Sequence, residues 1–422
     1  MRFARLRRIF FPRSRNFTFT SMSFLQAARP GAKACRFSAG FQRRTFSRSK
    51  SLASPITAEE IQGAHKYCVA LLSYAITAST TASTALKAPR SFAKYDRPSY
   101  TLSTFIPRHA QSFYIALRAL NVSLSMIPDT TSSPTIGLMR LQFWRDSVAK
   151  ILAGTPPKEP VAILLSSAIS ELHERTQGRA RISKGWLTRL INSREQTLTN
   201  DPYPTLAALE SYAENTYSTL MYLTLSALPM ASVTADHVAS HIGKAVGIAA
   251  VLRGLPFVAF PAPSAQAPAG ANSPMGGGAK QGAVMLPLDV MAQTGVREED
   301  VLRHGAEAEG LRDAVFTVAT RASDHLITVQ QMLSNLRAGE DVGHDFEHEG
   351  EEGHEYDVVK GNESPLEEVN RAFGVFMPAI GTRLWLDRLQ KQDFDVFSPA
   401  LLRSDWRLPW KAYSAYTRKS LD

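Results

Sequence analysis

The sequence predicts an all-α protein. Three observations carry that expectation. Apolar residues recur at helical spacing through most of the chain after residue 56, capping residues stand where several of these runs begin, and alternating strand patterns are almost absent. The chain has 422 residues, 44% of them hydrophobic and 20% charged, which suits one large globular domain or two ordinary ones.

Thr57 opens the first run, 57–75, as a cap with Glu59 and Glu60 in the first turn. Residues 110–127 form the second, and 136–152 the third, with Leu141, Trp144, Val148 and Ile151 on one stripe. Ser183 precedes a helix in which Trp186, Leu187, Leu190 and Ile191 cluster on one side. Thr205 begins a long, mostly buried helix reaching residue 228. Residues 235–253 follow, and this helix is expected to stop at Gly254 and Pro256, the two strongest helix breakers. Further helices are expected over 297–304, 309–337 and 366–390. The uncharged stretch 216–235 is interrupted by Ser, Thr and Pro229, so it is expected to be a buried core helix and not a bilayer span.

Two stretches interrupt the helical pattern. Residues 259–283 hold four Pro and five Gly and are expected to form a flexible loop. Residues 339–366 begin with a run rich in Asp and Glu that holds three His, which predicts a solvated acidic insert. Neither divides the chain into two cores, so residues 51–422 are expected to form a single helical domain.

The N-terminus has a different character. Residues 1–50 contain thirteen Lys or Arg and no acid, with many Ser and Phe, as in a mitochondrial transit peptide. RRTFS at 43–47 resembles a matrix-protease site, with cleavage near Phe46. The net charge of +10 for the whole chain therefore resides in this segment. The remainder carries about −3 and gives no argument for nucleic-acid binding. Cleavage would remove Cys35 and leave Cys68 alone, which excludes a disulfide scaffold and a cysteine-based zinc site in the mature monomer.

Five segments carry a resemblance: LRALNVSLSMIPDTTSSPTIGLMRLQFWRDSV (117–148), LESYAENTYSTLMYLTLSAL (209–228), DHVASHIGKAVGIAAVLRGLP (236–256), VMLPLDVMAQTGV (284–296) and QKQDFDVFSPALL (390–402). In this order they resemble the mitochondrial complex I assembly factor 6 family, a branch of the squalene/phytoene synthase superfamily. The resemblance covers nearly everything from about 60 to 415 except the two inserts. It implies an isoprenoid-synthase-like helical bundle around a central cavity. The synthases ionise prenyl diphosphates with magnesium, a hard cation that two aspartate-rich helical segments hold through carboxylate oxygens.

Those aspartates are missing from the matching positions. The first motif falls on Ser125, Met126 and Asp129, and only Asp129 keeps a carboxylate, in a position that also suits a turn or cap. The second falls on Gly254 and Val258, next to a surviving Leu252–Arg253 pair. A third polar point becomes Thr197. Shifting the alignment does not restore the motifs, because 117–128 and 242–288 contain no Asp or Glu. No metal and no other cofactor is expected.

What remains on the helix is neutral or basic. His237, His241 and Lys244 follow one another at i, i+4 and i+7. His241, Lys244 and Arg253 are candidates to hold an anionic head group or to line the cavity; the alternative is that they pair with buried carboxylates such as Glu214. His237 and His241 have two-ligand spacing but no identifiable third metal ligand. Arg140 and Arg145 flank Trp144 and suit either phosphate contact or a salt bridge. Residues 405–419, with two Trp, two Tyr and several cations, suit either a membrane-interface segment or a docked C-terminal helix.

The resemblance implies a non-catalytic assembly factor for respiratory complex I on the matrix side of the mitochondrial inner membrane. Its partners would be complex I subunits or assembly intermediates and the membrane surface, with a lipid or isoprenoid as a further ligand and no nucleic acid. The alternatives are an active prenyltransferase of the squalene/phytoene synthase type and a lipid or isoprenoid carrier.

Overall fold

A computed structural model describes residues 56–73, 96–230, 232–261, 282–340 and 364–421. The N-terminal segment 1–50, Cys35 and most of both inserts lie outside the described residues. Among the described residues the protein contains sixteen α-helices and no strand. They are α1 Ala58–Ser73, α2 Arg97–Leu102, α3 Arg108–Ser125, α4 Ile127–Thr130, α5 Pro134–Leu152, α6 Pro160–Arg175, α7 Lys184–Gln196 and α8 Leu206–Ala213. There follow α9 Thr219–Ser226, α10 Val233–Ala259, α11 Leu288–Thr294, α12 Glu298–His304, α13 Leu311–Ala338, α14 Pro365–Ala372, α15 Pro378–Lys391 and α16 Leu408–Arg418.

Side chains fix many of the helix starts. Thr57 forms a reciprocal cap with Glu60: each backbone N–H donates to the other's side chain, at 2.8 and 3.2 Å. Ser133 caps α5 and Thr205 caps α8, accepting from Ile136 N and Ala208 N. Glu159 accepts from Ala162 N at 2.7 Å and Pro160 occupies the first position of α6. The unbroken apolar run Val161 to Leu165 obscures α6 in the sequence, although Val161, Leu165, Ala168 and Leu172 recur at helical spacing. It is nonetheless a core helix, packed on α1 and α3 through Val161, Leu165 and Leu172.

The central element is α10, buried along nearly its whole length and in contact with α8, α9, α13 and α15. It does not end at Gly254 as the sequence suggests, but runs through Pro256 to Ala259. Proline removes one donor from the ladder, but Leu252, Leu255 and Ala259 are fully packed around it, and the Pro256 carbonyl still accepts from Phe260 N at 3.2 Å. Two other glycines of α10 allow close crossing. A methyl group at Gly243 would overlap the Ser218 backbone, and one at Gly247 would overlap Ala213.

Two expected long helices are interrupted. The segment from Thr205 to residue 228 holds a π-turn, Glu214–Ser218, between α8 and α9. The segment 366–390 breaks at a 3₁₀ turn, Phe373–Phe376, followed by Pro378. There Gly374 lies against the Phe105 carbonyl, where a side chain would not fit. α9 is buried in the core, and its helix stops at Ser226, well short of a span. Among the described residues α10 is the one helix long and apolar enough to cross a bilayer, and 56% of its most apolar window is buried in the bundle.

Candidate functional site

A cavity of about 200 Å³ opens between α3, α4, α7, α8, the π-turn and the C-terminal half of α10. Ser125, Thr197, Gly254 and Val258 all line it. These are four of the positions at which the synthase motifs would place their polar ligands. Met126 and Asp129 are not among its lining residues; Asp129 is exposed in the first turn of α4. Among the described residues, no Asp or Glu lines the cavity. Hydroxyls beside a guanidinium do not fit magnesium, which requires hard and preferably anionic oxygen ligands. Among the described residues, no three His, Cys, Asp or Glu side chains converge as a metal-ligand set.

The charge in the cavity comes from Arg194. Leu187, Leu190, Ile191 and Arg194 share the inward stripe of α7, so the helix that buries the leucines also turns the arginine inward and half-buries it. Its Nη1 donates to the Tyr212 hydroxyl and its Nη2 donates to Asn121 Oδ1 at 2.9 Å. The guanidinium lies 5.5 Å from the Tyr212 ring centre and 6.0 Å from that of Tyr217. Its buried Nε–H has no hydrogen-bond partner among the described residues. Burial opposes the charge, but the phenols of Tyr212, Tyr217 and Tyr203 outweigh it and the guanidinium pKa is raised. Burial also pushes the Tyr212 and Tyr203 hydroxyls above their ordinary range, so they are neutral donors at physiological pH. The remaining wall is largely apolar, including Leu124, Ile127, Leu141 and Met285. The cavity thus combines a half-buried cation, three phenols and a greasy wall, with no carboxylate among the described lining residues.

His241, Lys244 and Arg253 do not line this cavity. Lys244 lies ten residues before Gly254 on α10, about 15 Å of helical rise away. Its Nζ is 4.0 Å from Glu214 Oε2. Glu214, at the head of the π-turn, also accepts from the Tyr222 hydroxyl at 2.5 Å and the Ser240 hydroxyl at 2.8 Å. His241 Nδ1 meets His325 Nδ1 of α13 at 2.9 Å, and His325 Nε2 meets Glu210 Oε1 at 2.8 Å. Arg321 completes this chain on the same carboxylate. Burial raises the Glu210 pKa, but the bonds from His325 and Arg321 outweigh it and hold the carboxyl at about 2. The His237 ring packs 5.1 Å from His241. Arg253 packs over the Trp385 ring at 5.5 Å and donates from Nε to the Ala249 carbonyl. Burial pulls its pKa down. On α5, Arg140 bonds Thr130 at 2.8 Å, and Arg145 pairs with Glu195.

The sequence did not single out Arg194, Tyr203, Tyr212 or Tyr217. The available signal was Arg194 itself, a cation in register with the apolar stripe of its helix. A larger, shallower groove of about 480 Å³ lies between α1, α3 and α6. Its titratable residues are Glu59, His65 and Glu171, and it shares no lining residue with the cavity.

Comparison with known proteins agrees with this architecture. The squalene/phytoene synthase family model matches residues 92–414. NADH dehydrogenase (ubiquinone) complex I, assembly factor 6 of Rattus norvegicus is 34% identical over 77% of this chain and 80% of its own length. The Homo sapiens protein of that name is 33% identical over 78% and 80%. Among solved structures, squalene synthase HpnC from Alicyclobacillus acidocaldarius superposes with a TM-score of 0.51 at 13% identity, covering 80% of this chain and 97% of its own. A dehydrosqualene synthase in complex with ligand gives 0.52 at 14% identity, covering 85% and 99%. The helical order, the central cavity and these matches lead to one assignment: the chain belongs to the squalene/phytoene synthase family, on the branch that contains the complex I assembly factor 6 proteins.

Proposed function

We propose that the protein is a non-catalytic assembly factor for respiratory complex I, acting on the matrix side of the mitochondrial inner membrane. The observation that carries this proposal is the lining of the cavity. In a chain one-third identical to named complex I assembly factors, the four motif positions at the cavity wall are Ser125, Thr197, Gly254 and Val258, and the charge beside them is the cation Arg194. A diphosphate leaving group ionised by magnesium needs carboxylates to hold the metal, and the described lining offers none. The basic, acid-free segment 1–50 supports import into mitochondria, with removal near Phe46. The working surface is then the all-α body, which binds a complex I subunit or assembly intermediate.

Two measurements test this. Deleting the gene should lower assembled complex I on native gels; an unchanged level refutes the assembly role. Incubation with farnesyl or geranylgeranyl diphosphate and magnesium should give no condensed hydrocarbon. Product formation would establish the alternative, an active prenyltransferase.

Arg194 favours a second role within the same protein, that of a lipid or isoprenoid carrier. A half-buried guanidinium, three phenols and an apolar wall suit an amphiphile with an anionic head. His241 and Lys244 already face His325 and Glu214, so we assign the head-group role to Arg194 and a supporting structural role to His241, Lys244 and Arg253. Native mass spectrometry of the purified protein should detect such a ligand, and Arg194→Met should lose it.

A further inference from the structure

We propose that the outward face of α16 docks on the surface of an anionic lipid bilayer. The proposal rests on the membrane-peripheral part of the function above and names the segment responsible. α16 covers its inner face by burying Leu408, Ala412 and Ala415. Its outer face presents Trp410 and Tyr413, three residues apart, and Trp406 stands on the turn that leads into it. These rings are 71%, 62% and 78% exposed, far more than ring systems that pack on their own protein. Tryptophan and tyrosine have apolar bodies with a polar edge, and that combination favours the head-group region of a membrane.

The charge around the rings selects the lipid. Residues 402–419 hold five Lys or Arg and one acid, Asp405, which is engaged by Arg407 and Arg388. Arg403 and Lys411 are exposed and take part in no ion pair among the described residues. The rest of the body is mildly acidic, so this cationic collar is local and complements a negatively charged surface. The platform is also rigid. Gln330 and Arg383 both donate to the Leu421 carbonyl, at 3.0 and 2.8 Å, and the Tyr416 ring packs 5.2 Å from Phe105.

The test uses the full chain and its own tryptophan fluorescence. Trp144 and Trp385 are buried and Trp186 packs on Tyr222, so contact with bromine-labelled acyl chains reports Trp406 and Trp410. Vesicles of phosphatidylcholine with phosphatidylglycerol should shift the emission to the blue and quench it, and phosphatidylcholine alone should not. Arg403→Gln with Lys411→Gln should raise the lipid concentration needed for half-quenching about thirtyfold. Unchanged emission on anionic vesicles overturns the proposal, even where the chain sediments with them through its basic N-terminus. A Trp406→Ser, Trp410→Ser variant that stays on mitochondrial membranes but loses its co-purifying assembly intermediates also overturns it, in favour of a protein partner. The complex I level after gene deletion reads the assembly role separately, so each idea can fail alone.

Discussion

Two glycines on α10 should respond to the same substitution with opposite signs. At Gly243 an added methyl overlaps the backbone and hydroxyl of Ser218, which belongs to the π-turn and cannot move as a side-chain tip would. Ser218 also donates to the Ser240 carbonyl at 3.0 Å, so separating the segments stretches that bond. Overpacking of this kind costs about 1–3 kcal/mol. At about 2–4 °C per kcal/mol for a large domain, Gly243→Ala should melt about 2–12 °C lower. At Gly254 nothing lies within 4 Å of the added atom. There the change only removes glycine's backbone freedom from a helix, worth about 0.5–1 kcal/mol, and Gly254→Ala should melt about 1–4 °C higher. Thermal melts followed by circular dichroism measure both. A Gly243→Ala variant that melts with the wild type refutes the close crossing of α10 over the π-turn. A destabilised Gly254→Ala refutes the open space beside that residue.

Other outcomes follow from the two polar clusters. Arg194→Met should lower the melting temperature in calorimetry, because it leaves the buried Asn121 Oδ1 without its donor, and ligand detection by native mass spectrometry is lost. Gly254→Asp should weaken retention of any anionic ligand in the same assay, because it places a carboxylate in the cavity wall near Arg194. Glu210→Gln should cost about 1–2 kcal/mol in urea unfolding at pH 7, once the carboxyl's partial exposure is allowed for. Because the folded carboxyl titrates at about 2, below its ordinary 4.5, this stabilisation is complete above 4.5 and fades as pH falls toward 2. A gap between wild type and variant that stays constant through that window refutes the His325–Arg321 account.

The sequence made some of these features legible and hid others for physical reasons. The apolar stripe of α10 is visible in its spacing, but its passage through Pro256 is not, because the packing of Leu255 and Ala259 that sustains it is tertiary. The positions Ser125, Thr197, Gly254 and Val258 were marked by the resemblance, and they converge on one cavity. Arg194 was not marked, since a single cation near the end of an amphipathic helix reads as solvated until the opposite wall is known. Lys244 faces Glu214, one of the two outcomes the sequence left open. His325, the partner of His241, is 84 residues away and has no local signature.

The π-turn at Glu214–Ser218 has a consequence for how this scaffold changes over time. A five-residue turn inside a helix is equivalent to one inserted residue between α8 and α9. Upstream, Glu210 and Tyr212 serve the histidine chain and the cavity; downstream, Tyr222 serves Glu214. The wider turn takes up that extra residue, so removing a single residue there would restore a regular helix with α8 and α9 still facing as they do. The π-turn is therefore the one place in this stretch where a residue can be gained or lost with both polar clusters keeping their faces; the same change in a regular turn would rotate everything after it by about 100°.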